Sequence, residues 1–158
     1  MSQSEREWSV FSKRFAGSRP AIFRVAEYIH REIKLTVTIP RMVLANSVAQ
    51  SMDYRDEGDI IARTEKGTEF IIEVKHMQKD FTSADDFGWP DILVAGKTQA
   101  DRLKPFAYFC VNRNMTHAFM VKYSTRDRWI VKEIPDKERG DKEEKYAAPI
   151  GIGEFVKL

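Results

Sequence analysis

The sequence predicts a single mixed α/β domain, and three observations support this prediction. A segment near the N-terminus has the periodicity of an amphipathic helix, a central segment has the pattern of a β-hairpin, and the second half is rich in strand-length apolar runs. A length of 158 residues with 42% hydrophobic and 32% charged residues suits one compact core. We therefore assign residues 1–158 to one domain.

The helices are predicted in the first third of the chain. Pro20 stands near the first position of the clearest one, which extends to Lys34. Its apolar residues recur at helical spacing: Ile22, Val25, Ala26, Ile29 and Ile33. A shorter helix is predicted over residues 5–15. Another is predicted over 42–52, and a strand over 35–39 lies between it and the helix that ends at Lys34.

The second half of the chain is predicted to be mostly sheet. Residues 106–112 and 116–123 form two predicted strands around a short turn, and residues 129–134 form a third. Residues 136–145 are almost all charged, with mixed signs, which is typical of an exposed loop. The tail, 147–158, is expected to add an edge strand.

Composition argues against several classes of function. The net charge of +2 is too small for a protein that coats nucleic acid through charge alone. No His-x-x-x-His or Cys-x-x-Cys spacing supports a zinc site, and Cys110 in an apolar run suits a buried thiol. The polar N-terminus is unlike a secretory signal, and the apolar runs are too short to cross a bilayer. We expect a cytoplasmic protein with no membrane role.

The central hairpin carries the chemistry. Residues 58–64 and 68–75 have strand character, and the turn 65–67 joins them. Gly67 fits the left-handed position of a three-residue hairpin loop.

The register of this hairpin follows if Thr64 faces Thr68. Apolar and oppositely charged residues then face each other: Ile60 with Ile72, Ala62 with Phe70, and Arg63 with Glu69. The same register puts Asp59 opposite Glu73. Because side chains alternate between faces, Asp59, Glu73 and Lys75 project from one face.

Two opposed carboxylates favour a bound cation. Like charges about 4 Å apart repel by roughly 4 kcal/mol at an effective dielectric near 20. A Mg²⁺ ion, for which Mn²⁺ can substitute, would reverse the sign of that interaction and take Asp59, Glu73 and the backbone carbonyl of Val74 as ligands. The open positions of the ion would hold a water and a phosphate oxygen. Lys75 would then orient or deprotonate the water that attacks the phosphate, or balance the charge that builds on the phosphorane-like transition state.

These residues resemble a known family. An aspartate at the start of one strand, followed on the next by Glu-x-Lys, is similar to the signature of the PD-(D/E)XK nucleases, which include restriction enzymes, archaeal-type Holliday junction resolvases and phage nucleases. Here the motif is Asp59 with Glu73-Val74-Lys75, and Gly58 stands where many members have proline. The resemblance covers roughly residues 21–121, the core of the domain, with further strands over 129–158.

The resemblance implies a restriction endonuclease-like fold, with a mixed central sheet and flanking helices, and Mg²⁺-dependent endonuclease activity on DNA. It also implies an accessory metal ligand on the preceding helix, for which Glu27 is the first candidate and Glu32 the second. A homodimer is compatible with this reading. Candidate phosphate contacts are of two kinds, the helix residues Arg24 and Arg31 and the later residues Lys97, Gln99 and Arg102. For both groups a solvated surface is the alternative explanation.

Other readings stay open at this point. The sequence Trp89-Pro90-Asp91-Ile92 contains a literal Pro-Asp, but no carboxylate-x-Lys follows on the next strand, so Asp91 is expected to start a strand, with an extra metal ligand as the alternative. His76 should face away from the site, which favours a structural role. The chain could also be a catalytically inactive nucleic-acid-binding module of the same fold, or an unrelated α/β protein that binds no Mg²⁺.

Overall fold

The computed structural model describes residues 17–40, 58–136 and 140–158, together with Lys13. Within these ranges the chain forms three α-helices and nine strands. The helices are α1 (Arg19–Tyr28), α2 (Ala84–Phe87) and α3 (Lys97–Leu103). The strands are β1 (Thr36–Thr38), β2 (Ile60–Arg63), β3 (Glu69–His76), β4 (Asp91–Gly96), β5 (Ala107–Val111), β6 (His117–Lys122), β7 (Ile130–Asp136), β8 (Asp141–Pro149) and β9 (Glu154–Lys157).

Helix α1 confirms the clearest sequence prediction. Pro20 lies in its first turn, where the missing N–H costs nothing, and the four residues Ala21, Ile22, Val25 and Ala26 are buried along one side. The helix continues as a π-helical turn, Ile29–Ile33. It ends at Lys34, which takes a left-handed conformation with φ of 62°.

The larger sheet has six strands in the order β1-β2-β3-β5-β6-β9. Strands β3 and β5 are parallel, and the other neighbours are antiparallel. The hairpin of β2 and β3 has the predicted register, with Ile60 facing Ile72, Ala62 facing Phe70 and Arg63 facing Glu69. The tail strand β9 lies at the sheet edge, as expected.

A smaller antiparallel sheet, in the order β4-β8-β7, was not predicted. The charged residues 136–145 do not form a simple loop, because β7 extends to Asp136 and β8 starts at Asp141. The hairpin closes through the N–H of Gly140, which donates to the Asp136 carbonyl at 2.7 Å. The mixed charges favoured a loop in the prediction, but the backbone groups of the two strands pair, while half of their charged side chains stay exposed. The Lys142–Glu133 ion pair at 3.2 Å is one example.

The two faces of the larger sheet carry separate hydrophobic clusters. The first packs against α1 and includes Ile22, Val25, Ile60, Ile72, Val74 and Phe109. The second packs against the smaller sheet and includes Tyr108, Cys110, Phe119, Ile92, Trp129 and Tyr146. The larger sheet is therefore the middle layer, with the helix on one side and the smaller sheet on the other.

The remaining predicted elements have mixed outcomes. The strands predicted over 35–39, 106–112, 116–123 and 129–134 correspond to β1, β5, β6 and β7. Except for Lys13, the helix predicted over 5–15 lies outside the described residues, and so does the whole helix predicted over 42–52. None of the described helices is long and apolar enough to cross a membrane.

Candidate active site

Asp59 and Glu73 occupy the end of the β2–β3 hairpin. The paired positions end at Ile60 and Ile72, and the next position along each chain is a carboxylate. The Oδ2 atom of Asp59 accepts a hydrogen bond of 2.8 Å from the backbone N–H of Val74. This contact holds the Asp59 carboxylate against β3 at the residue after Glu73, whose Oε1 atom is buried.

Gly58 fits closely behind this pair. Its φ is +92°, which side-chain-bearing residues rarely adopt, and a Cβ atom built there would collide with Cγ2 of Ile71 and lie 3.4 Å from Oε1 of Glu73. Proline, with φ fixed near −65°, cannot take this conformation. The departure from the nuclease motif at this position therefore has a local structural reason.

Lys75 projects from the same face as Glu73 and is directed toward the smaller sheet. Its ammonium donates to the carbonyl of Leu93 on β4 at 3.2 Å. Burial lowers the pKa of Lys75, and the positive charge of Lys145 lowers it further, while Cys110 and Glu143 act in the opposite direction. A lysine with a lowered pKa gives up its proton more readily than an exposed one.

Tyr108 is a neighbour of the site that sequence reasoning missed. It is the register partner of Glu73 on β5, so the two side chains share a face. Burial raises the pKa of Tyr108, and the negative charges of Glu73 and Asp101 also raise it. Its ring packs edge-on against Trp129 at 6.0 Å.

A second polar cluster, which we call the Asp101 network, lies beyond Trp129. Asp101 accepts hydrogen bonds from the hydroxyls of Tyr123, at 3.0 Å, and Tyr146, at 2.8 Å. Arg126 and Lys97 lie 3.9 and 3.6 Å from its carboxylate. Partial burial would raise the pKa of Asp101, but the two hydroxyls and the two cations together keep it below its usual value. The aromatic and charged members come from three separate segments, so no local pattern signals the network.

The predicted helix residues do not join the site. Glu27 is 56% exposed and forms ion pairs with Arg24 at 3.4 Å and Arg31 at 3.2 Å. Because α1 covers the face of the larger sheet that carries Ile72 and Val74, Glu27 lies across the sheet from Asp59 and Glu73. The structure therefore does not bring Glu27 to the carboxylate pair, and its ion-pair partners Arg24 and Arg31 lie on the same helical side of the sheet. Glu32, the second candidate, pairs with Arg31 on the same helical segment.

The residues after β4 form the helix α3. Lys97 begins α3 and belongs to the Asp101 network through its ion pair. Gln99 and Arg102 are exposed on the same helix. These three candidates thus lie on the side of the larger sheet that carries Glu73.

Three other residues take structural positions. Asp91 starts β4, as predicted, and forms an ion pair of 2.6 Å with Lys132. His76 lies at the end of β3, with Nε2 3.0 Å from the carbonyl of Arg113. Cys110 is fully buried, and burial raises the pKa of its thiol to about 11.

The donor set is compatible with a magnesium ion that keeps much of its water shell. Among the residues that the structure describes, no group of three or more His, Cys, Asp or Glu side chains is arranged around one point. Mg²⁺ is commonly held by only one or two carboxylates, with waters and substrate phosphates in the other positions. Asp59 and Glu73 are such a pair, with the Val74 backbone between them.

Comparisons with known proteins add no relative. No family model, no curated protein and no solved structure matches the chain. The mixed α/β architecture and the hairpin geometry are therefore the grounds for any statement about function.

Proposed function

We propose that this protein is a Mg²⁺-dependent nuclease that hydrolyses phosphodiester bonds of DNA, with its site at Asp59, Glu73 and Lys75. The observation that carries the proposal is the hydrogen bond from the Val74 N–H to Asp59 at the end of the β2–β3 register, which brings Asp59 to the residue after Glu73, with Lys75 two residues beyond Glu73 on the same face. Like charges directly opposite each other destabilise a sheet, and a bound cation would offset that repulsion.

The two carboxylates would bind the ion and fix its position. The hydrogen bond from the Val74 N–H to Oδ2 fixes the orientation of the Asp59 carboxylate. Glu73 lies one residue before Val74 on the same strand, and its Oε1 atom is buried. When bound, the ion would lower the pKa of a water and polarise a phosphate oxygen.

Lys75 would act on the water. Its lowered pKa enlarges the neutral fraction near physiological pH, and a neutral amine accepts a proton from the attacking water. The bond to the Leu93 carbonyl holds the amine in place on the side of the smaller sheet.

The test is a cleavage assay with labelled single-stranded, duplex, flapped and four-way DNA, with Mg²⁺ or Mn²⁺ and with EDTA. We expect cleavage that needs the metal, and a loss of at least about a hundredfold in Glu73→Ala and Lys75→Ala. Glu69→Ala is the matched control, since Glu69 is on the same strand and face but pairs with Arg63 in solvent. The proposal fails if no substrate is cut, or if Glu73→Ala cuts as well as Glu69→Ala. Metal-independent binding without cutting would point instead to an inactive binding module of the same fold.

A further inference from the structure

The Asp101 network has a feature that a purely structural cluster does not need, a guanidinium held on three sides and still open to solvent. Nη1 of Arg126 lies 3.2 Å from the Tyr146 hydroxyl, and Nε lies 3.9 Å from Asp101. The guanidinium carbon is 5.8 Å from the centre of the Tyr123 ring. The Arg126 side chain nevertheless remains 46% exposed.

The charge of this network is not balanced internally. Asp101 carries one negative charge, while Lys97 and Arg126 carry one positive charge each, so these three groups sum to +1. A guanidinium has five N–H donors, more than two contacts require. The arrangement thus presents a pre-oriented cation that is partly open to solvent, which suits a bidentate contact to a phosphate.

Two aromatic residues, Trp129 and Tyr108, connect the network to the candidate active site. The Trp129 ring packs against Tyr108 at 6.0 Å on one side and against Tyr123 and Tyr146 at 5.9 and 5.6 Å on the other. Tyr108 in turn is the strand partner of Glu73. Arg126 therefore lies on the same side of the larger sheet as the carboxylates, a few side chains away.

We propose that Arg126 is a phosphate-binding residue that contacts the backbone of the nucleic acid away from the bond that is cut, and that Asp101 and Tyr146 are the residues that position it. The inference rests on the proposed function for the identity of the ligand. It adds a contact that the carboxylate site does not provide, because two acidic side chains repel a polyanion whereas Arg126 attracts it.

The test measures DNA binding without metal, in EDTA, by fluorescence anisotropy with a short labelled DNA and a series of salt concentrations. Arg126→Ala should weaken binding by about tenfold, the loss of one charge-assisted contact, and lower the slope of log affinity against log salt by about one. Arg128→Ala is the matched control, because Arg128 is an exposed arginine of the same 3-10 turn, Tyr123–Arg128. It should weaken binding by less than about threefold.

Two further variants separate positioning from charge. Arg126→Lys keeps the charge but loses the fork, and should recover only part of the affinity. Tyr146→Phe removes the hydroxyl that holds Nη1 and Asp101, and should weaken binding without lowering the salt slope. Thermal unfolding of each variant identifies any loss that comes from misfolding, and a folded Arg126→Ala variant with parental affinity overturns the inference. If the parent binds DNA through Arg126 but cuts nothing, the nuclease proposal fails and this one stands.

Discussion

The two faces of strand β3 have different surroundings, although their residues alternate along one chain. Ile72 and Val74 face α1 and are buried among apolar side chains. Glu73 and Lys75 face the smaller sheet and lie near charged and hydroxyl groups. Core residues and candidate-site residues alternate along β3, so substitutions one position apart should have unlike consequences.

The largest expected effect on stability is on the helix face. Ile22→Ala should lower the free energy of unfolding by about 2–5 kcal/mol, because Ile22 is 1% exposed and its removal leaves a cavity. The control is Phe23→Ala on the same helix, where the ring is 53% exposed and the loss should be small. Urea unfolding measures both values. Equal losses in the two variants would contradict the assignment of this face to the core.

On the opposite face, removing a charge should not lower the free energy of unfolding in the absence of metal. Glu73→Gln relieves repulsion with Asp59, so in EDTA it should be as stable as the parent or more stable by up to about 1 kcal/mol. With Mg²⁺ the parent should gain stability in proportion to its affinity, and the variant should gain much less. Thermal unfolding with and without Mg²⁺ decides this point. A variant that is stabilised by Mg²⁺ as much as the parent would exclude Glu73 as a ligand.

Two glycines with similar backbone conformations sharpen the comparison further. Gly67→Ala introduces a left-handed alanine with nothing within 4 Å of its Cβ, and should cost about 1 kcal/mol. Gly58→Ala adds a collision with Ile71 and a close approach to Glu73, and should cost about 1–3 kcal/mol more. Only Gly58→Ala should also weaken Mg²⁺ binding, which calorimetric titration measures. Equal effects in the two variants would show that the contact behind the carboxylates is unimportant.

The smallest effect is a pH dependence of stability from Lys75. Its pKa in the folded chain is below the usual value of 10.5, so between these two values the unfolded chain holds a proton that the folded chain lacks. Stability from this group therefore rises with pH across that window and is complete above 10.5. Lys75→Met should remove this rise, whereas Lys66→Met, in the exposed turn, should keep it. Unfolding free energies from neutral pH to 10.5 provide the test, and parallel curves for Lys75→Met and the parent would contradict it.

Local patterns predicted the parts of the molecule that local physics determines. The register of the hairpin follows from the pairing of Arg63 with Glu69 and of Ile60 with Ile72, and α1 follows from apolar spacing. The position of Glu27 relative to the hairpin could not be predicted, because helical periodicity says which side of a helix is buried but not which face of a sheet it covers. The Asp101 network could not be predicted, since Tyr123 and Tyr146 meet that carboxylate only after β8 pairs with β4.

The hydrogen bond from the Val74 N–H to Asp59 also discriminates between alternative pairings of the hairpin. A slip of one residue between β2 and β3 would turn Asp59 toward the apolar side chains beneath α1, where an unsolvated carboxylate costs several kcal/mol. It would also take the acceptor away from its backbone donor. Asp59 thereby favours the observed register, because a chain with misaligned strands has a less favourable free energy before any ligand is present.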